Sequence, residues 1–310
     1  MARAAGRVEP GRRTTLAGPQ AASTALAIAA LLAAMVSFQV SASIARGLFA
    51  SVGAPGAAAL RLAIGAPLLA AALRPWRSRP SRAAWGSIAV YGVALGVMNL
   101  LFYMAVARVP LGLAVAIEFT GPLVVATAAS RRPVDFLWVA LCAGGLVLIL
   151  RPAAIGVAGL DPKGVACAFG AGACWALYIV FGQKAGGQHG LGTTALGMLI
   201  AAALIVPLGV ARAGAALLSP RVLELGAVVG VLGTAMPYVL EMMALTRLPA
   251  RTYGVLSSLA PAVGALAGLA LLGQVLTGPQ TLALGAVVAA SIGATATIRS
   301  RPPTATIEPA

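Results

Sequence analysis

The sequence predicts an all-α polytopic membrane protein with ten transmembrane helices, arranged as two inverted five-helix repeats. Composition, the length of the apolar runs and a weak internal repeat predict it. Of 310 residues, 60% are hydrophobic and 9% charged, against about 25% charged in a typical soluble protein. So few charges cannot cover a water-facing surface. The apolar runs last about 18 to 24 residues, enough to cross a hydrocarbon core of roughly 30 Å as helices.

The ten expected spans are Ala22–Ile44, Pro55–Leu73, Trp85–Val106, Leu111–Ser130, Val134–Leu150, Gly164–Phe181, Thr193–Ala211, Leu223–Leu245, Arg251–Leu272 and Pro279–Ile298. Short connections carrying Arg-Pro, Gly-Gly and Ser-Pro pairs separate them. The basic start (Arg3, Arg7, Arg12, Arg13) precedes an apolar run too long for a leader's core, which reads as a retained first helix. Lys and Arg are unevenly shared between the connections. With the N-terminus inside, fifteen fall on the inner side, six on the outer (Arg46, Arg108, Arg151, Lys163, Arg212, Arg221), and Arg61 lies within a span. That bias places both termini in the cytoplasm. The net charge of +15 then reads as topology signal and lipid-headgroup contact, not nucleic-acid binding.

The internal repeat aligns Val106–Pro122 with Leu245–Pro261. Arg108 matches Arg247, Pro110 matches Pro249 and Pro122 matches Pro261, each pair 139 residues apart. Five spans per half is an odd number, so the halves enter the membrane from opposite sides, as in secondary transporters. The expected organisation is a cytoplasmic tail (1–21), a first repeat (22–151), a linker (152–162), a second repeat (163–298) and a C-terminal tail (299–310).

Among seven acidic residues, only Glu118 and Glu241 lie deep in spans. Glu118 is eight residues past Pro110, roughly 12 Å along a helix. A carboxylate there costs about 3 kcal/mol or more, so it is expected to face a polar cavity, find a partner or take up a proton. Pro122 removes the N–H that would bond the carbonyl of residue 118. Glu241, Tyr238 and Thr234 fall on one helix face at spacings of three and four, beside Pro237; an interfacial Glu241 paired with Arg247 is the alternative. Further stripes hold Gly92, Gly96, Asn99 and Tyr103, then Ala171, Trp175, Tyr178 and Gly182, then Ser37 and Ser41. They suit either close helix packing or a cavity wall. Arg61 either pairs with a substrate carboxylate or snorkels to the outer interface. Pro122, Pro237 and Pro261 are the candidate helix breaks.

Other chemistry finds no support. Cys142, Cys167 and Cys174 lie in apolar runs without disulfide or metal spacing. The single histidine, His189, sits in a Gly-rich loop. No phosphate-binding loop, nucleophile elbow or zinc motif is present, so no enzyme, cofactor or metal is expected.

The stretches GAPGAAALRLAIG, YGVALGVMNLLFY, AVAIEFTGPLVVA, SRRPVDFLWV, GAGACWALYI and PYVLEMMALTRLPARTYG together resemble the EamA group of the drug/metabolite transporter superfamily, within it the threonine and homoserine exporters. The resemblance runs from about Leu31 to Thr297. It implies a bacterial inner-membrane exporter of small amino acids driven by the proton gradient. Glu118 and Glu241 match the group's pattern, whereas Ala260 and Gln274 stand where it carries Glu. An EamA-type exporter of another metabolite or amphipathic drug is the main alternative. A membrane-embedded enzyme and a passive channel are disfavoured, for want of a clustered nucleophile and because inverted halves with buried acids suit alternating access.

Overall fold

A computed structural model describes residues 19–77, 79–128, 133–150, 160–189, 192–245, 247–248, 253 and 256–297. The tails through residue 18 and from 298, Arg131 and Arg132, the linker as far as 159, and Pro249 through Thr252 lie outside the described residues. So does the side chain of His189.

Every described element is helical. The helices are α1 (Pro19–Leu73), α2 (Arg82–Val106), α3 (Leu111–Glu118), α4 (Thr120–Ala128), α5 (Pro133–Leu150), α6 (Pro162–His189), α7 (Gly192–Ala213), α8 (Pro220–Gly230), α9 (Met236–Leu245), α10 (Ala260–Leu272) and α11 (Gly278–Thr297). A π-turn, Val231–Ala235, joins α8 to α9.

The first two expected spans run together in α1. Its 55 residues would extend about 80 Å if straight, well over twice the hydrocarbon thickness. Gly53, at φ 67° and ψ 172°, breaks it in a region open essentially to glycine alone. The two arms fold back on each other, since the Arg61 guanidinium lies 5.8 Å from the ring centroid of Phe38. A straight helix would separate those residues by roughly 35 Å.

Three other expected spans are broken; in the ninth, Ser258 and Leu259 form a turn just before Pro261, between the helical residues Leu256 and Ser257 and α10. The fourth splits at Phe119 into α3 and α4, because Pro122 has no N–H to return to Glu118. The eighth is α8, the π-turn and α9, with Pro237 in the first turn of α9. Other boundaries differ by a few residues, with α6 running on to His189. Among the described residues, five helical stretches are long and apolar enough to cross a membrane, and four shorter apolar helices accompany them.

Packing joins distant parts of the chain. Helix α1 lies against α7, α8, the π-turn, α9 and α10; α2 lies against α6 and α7; α3 contacts α6 and α10; α5 pairs with α11. Much of the core is alanine and glycine, which lets helix backbones approach. A Cβ on Gly121 would run into the carbonyl oxygen of Gly172, so α4 and α6 touch backbone to backbone. Large apolar side chains face outward: Phe136 on α5 is 74% exposed and Leu282 on α11 68%. Such a surface suits acyl chains, not water.

Candidate functional site

The interior site begins with missing backbone donors. Pro237 offers no N–H to the carbonyls of Gly233 and Leu232, four and five residues back. The π-turn between α8 and α9 loosens the same stretch, with the Met236 N–H reaching back to Val231. Polar side chains of α1 fill the gap. Ser37 Oγ donates to the Leu232 carbonyl at 2.5 Å and Ser41 Oγ to that of Val229 at 3.1 Å. Arg61 Nη2 donates to the Gly233 carbonyl, and its Nε to Thr234 Oγ1 at 3.2 Å.

Arg61 is therefore interior, 6% exposed, and does not snorkel. Its guanidinium lies 5.8 Å from the Phe38 ring centroid and 5.6 Å from that of Tyr103. Ring faces carry negative potential and steady a cation away from water. Tyr238 meets Phe38 edge to face at 5.5 Å. Phe49 packs on Tyr103 at 5.8 Å.

Glu118, also 6% exposed, ends α3. Its freed carbonyl faces α6: a Cβ on Gly172 would stand 2.6 Å from that oxygen. Among the described residues its carboxylate has no hydrogen-bond partner, and Arg61 is the opposite charge within electrostatic reach. Beside it, Phe119 meets Trp175 of α6 edge to face at 5.3 Å.

A second cluster surrounds Glu241. Tyr253 Oη donates to Glu241 Oε1 at 2.8 Å, so the expected alternative partner, Arg247, is not used; Arg247 Nη1 bonds the Met243 carbonyl at 3.2 Å. Tyr91, Tyr178 and Tyr238 all lie within electrostatic reach of Glu241. Tyr91 stacks on Tyr178 at 4.9 Å. Tyr238 feels both acids and Arg61, and thus bridges the two clusters.

Some expected residues take packing roles. Asn99 Nδ2 bonds the Leu95 carbonyl of its own helix at 2.8 Å. Gly92 and Gly96 face Ile200 and Ala201 of α7. Pro261, buried, opens α10. Sequence reasoning did not single out Phe38, Phe49, Tyr91 or Tyr253. The available signal was scarcity: the chain holds five tyrosines, and four of them gather around Glu241 while Tyr103 lies beside Arg61.

A cavity of about 470 Å³ opens next to this centre, lined by Phe49, Ala54, Pro55, Met104, Ala107, Arg108 and Arg212. Phe49 belongs to its wall and touches Tyr103, which touches Arg61. The rings of Phe49 and Tyr103 thus stand between the cavity and the buried cation.

Comparison with known proteins agrees with this architecture. The EamA-like transporter family matches residues 162–296, from the start of α6 almost to the end of α11. The threonine/homoserine exporter RhtA of Escherichia coli K12 is 54% identical over 274 residues, 88% of this chain and 92% of the relative. Its counterpart in Salmonella typhimurium LT2 is 53% identical over 277 residues, 89% and 94%. A solved crystal structure shares the fold at a TM-score of 0.60 and 20% identity, covering 89% of this chain and 97% of the other. With more than half of the aligned residues shared with RhtA, over most of both lengths, the chain belongs to the EamA-like transporter family.

Proposed function

We propose that this chain exports threonine, homoserine and related small amino acids across the bacterial cytoplasmic membrane, by alternating access and proton antiport. The observation that carries the reading is a buried Arg61 and a buried Glu118 within electrostatic reach of each other, on a chain 54% identical to a threonine/homoserine exporter. An amino acid zwitterion carries the complementary pair of charges. Arg61 uses Nε and Nη2 on protein acceptors, and a guanidinium has five N–H donors. The remainder suit a carboxylate, while Glu118 accepts the ammonium. A proton competes with the ammonium for the same carboxylate. Each state then carries one or the other, which is antiport.

Ten spans in two inverted halves fit the packing. Counting the α1 arms as the first two spans and α8 with α9 as one, each half supplies five. Exchanging the halves turns the α2–α6 contact into that of the first α1 arm with α8 and α9, and the α2–α7 contact into that of the second arm with α8. Ser37 against Leu232 and Leu60 beside Gly226 assign those arms. The pairs α3–α10 and α5–α11 exchange with themselves. The arginine bias puts Arg108 and Arg212 outside, so the cavity reads as an outward vestibule, closed toward the cytoplasm by the Glu241 cluster, with both termini cytoplasmic.

Inside-out vesicles carrying the protein test the reading. Radiolabelled threonine and homoserine should enter saturably, and faster when the lumen is acidic. Uptake indifferent to the pH difference removes antiport. No uptake of either amino acid removes the substrate assignment.

A further inference from the structure

Two buried oxygens of the interior helices, Gln39 Oε1 and Tyr103 Oη, have no hydrogen-bond partner among the described residues. Gln39 is 6% exposed and Tyr103 1%. An unmade hydrogen bond at a sealed acceptor is costly, and such groups in native structures call for an explanation.

The placement of Gln39 supplies one. A Cβ on Gly264 would stand 3.2 Å from Val115 Cγ2 and 3.4 Å from Gln39 Oε1. The amide oxygen therefore rests against α10, three residues beyond Pro261, and beside Val115 of α3. Val115 is one turn before Glu118 on the same helix face. The residue preceding Gln39 is Phe38, whose ring lies under Arg61. Gln39 thus stands beside the helix that carries the carboxylate, on the arm that supports the guanidinium.

We propose that Gln39 is a substrate-binding residue whose amide oxygen accepts a hydrogen bond from the side-chain hydroxyl of the transported amino acid. The inference rests on the reading above. With the ammonium on Glu118 and the carboxylate on Arg61, the hydroxyl is the donor left over. Threonine and homoserine are both hydroxylated 2-aminobutyrates, differing in which carbon bears the hydroxyl. One acceptor serving both has to shift by about one carbon–carbon bond. A glutamine, with its acceptor on a long rotatable stem, makes that shift; a backbone carbonyl does not.

Purified wild type and Gln39→Leu, reconstituted in liposomes, are compared on threonine, homoserine and 2-aminobutyrate, with thermal melting alongside. Wild type should favour the two hydroxylated substrates over 2-aminobutyrate about ten- to hundredfold in kcat/KM. Gln39→Leu should bring that ratio near one, transport 2-aminobutyrate at the wild-type rate and melt no lower than wild type, since an orphaned acceptor is gone. A ratio left intact, or three substrates slowed in equal proportion, overturns the proposal. So does a lower melting temperature, which would mean that the amide serves the fold. Wild type that moves neither threonine nor homoserine overturns the exporter reading itself, and this inference with it.

Discussion

Replacing Glu118 with Gln separates substrate binding from proton coupling. The carboxylate makes no hydrogen bond among the described residues; the contact with α6 at Gly172 is made by the backbone carbonyl. The exchange therefore leaves the α3–α6 packing in place, and Arg61 keeps Gly233, Thr234 and its two rings. The variant should fold. The amide that replaces the carboxylate still accepts a hydrogen bond from the substrate ammonium but carries no charge. Charged hydrogen bonds contribute about 1.5–3 kcal/mol and neutral ones about 0.5–1.5. The difference, about 1 to 2 kcal/mol, weakens substrate binding roughly five- to thirtyfold. Coupling, by contrast, disappears, because an amide neither takes up nor releases the proton. In proteoliposomes, Glu118→Gln should still exchange labelled for unlabelled threonine at raised substrate concentration, yet fail to accumulate it in response to a pH difference. A variant that concentrates threonine on imposed pH as wild type does refutes the role of this carboxylate.

Arg61→Lys keeps the charge but has a single nitrogen for two acceptors, so it should lose about 1.5–3 kcal/mol. A double-mutant cycle with Thr234→Val, followed by denaturant titration in micelles, should show coupling, and strict additivity refutes the bond's importance. Gly121→Ala drives a methyl into the Gly172 carbonyl and should destabilise by about 1–3 kcal/mol; an unchanged melting curve contradicts that backbone contact. Gln274 Oε1 accepts from the Leu111 N–H at 2.9 Å, capping α3 where Pro110 offers no side-chain cap. Gln274→Ala should cost about 1 kcal/mol and Gln274→Glu should not, read as melting temperatures; equal loss in both sinks the capping role.

The helix breaks were legible because proline chemistry is local. Pro122 and Pro237 each identify the carbonyl they strand, from spacing alone. What meets those carbonyls was not legible. Gly172 lies 54 residues from Glu118 and Arg61 172 residues from Gly233, and only the assembled packing brings them together. The polar face of Thr234, Tyr238 and Glu241 was drawn on α-helical spacing. The π-turn adds a residue to that turn, and the three side chains go to different partners: Arg61, Phe38 and Tyr253. Arg61 shows the limit most clearly. Six residues into a span, its side chain is long enough for either the interface or the interior. The stranded carbonyl of Gly233 and two aromatic faces decide for the interior. Gln274, expected from the resemblance to stand in place of a Glu, caps α3 through its amide oxygen, an acceptor that a carboxylate would also supply.

The same bonds limit how the molecule can alternate. Ser37, Ser41 and Arg61 fasten both arms of α1 to residues 229–234. Together they are worth about 5 kcal/mol, comparable to or larger than the few kcal/mol that separate alternating states. Breaking all of them in each cycle of the proposed alternating access would put one state out of reach, so that mechanism requires α1 and the α8–α9 segment to travel as one body. That body takes helices from both sequence halves. On the proposed reading, the repeats are units of sequence symmetry, whereas the moving bodies draw on both of them. Among the described residues, Tyr253 on Glu241 and Gln274 on Leu111 are two polar contacts outside that body that such a motion could break. Each is a bond that a change of state can exchange for water at a cost of about 1 kcal/mol.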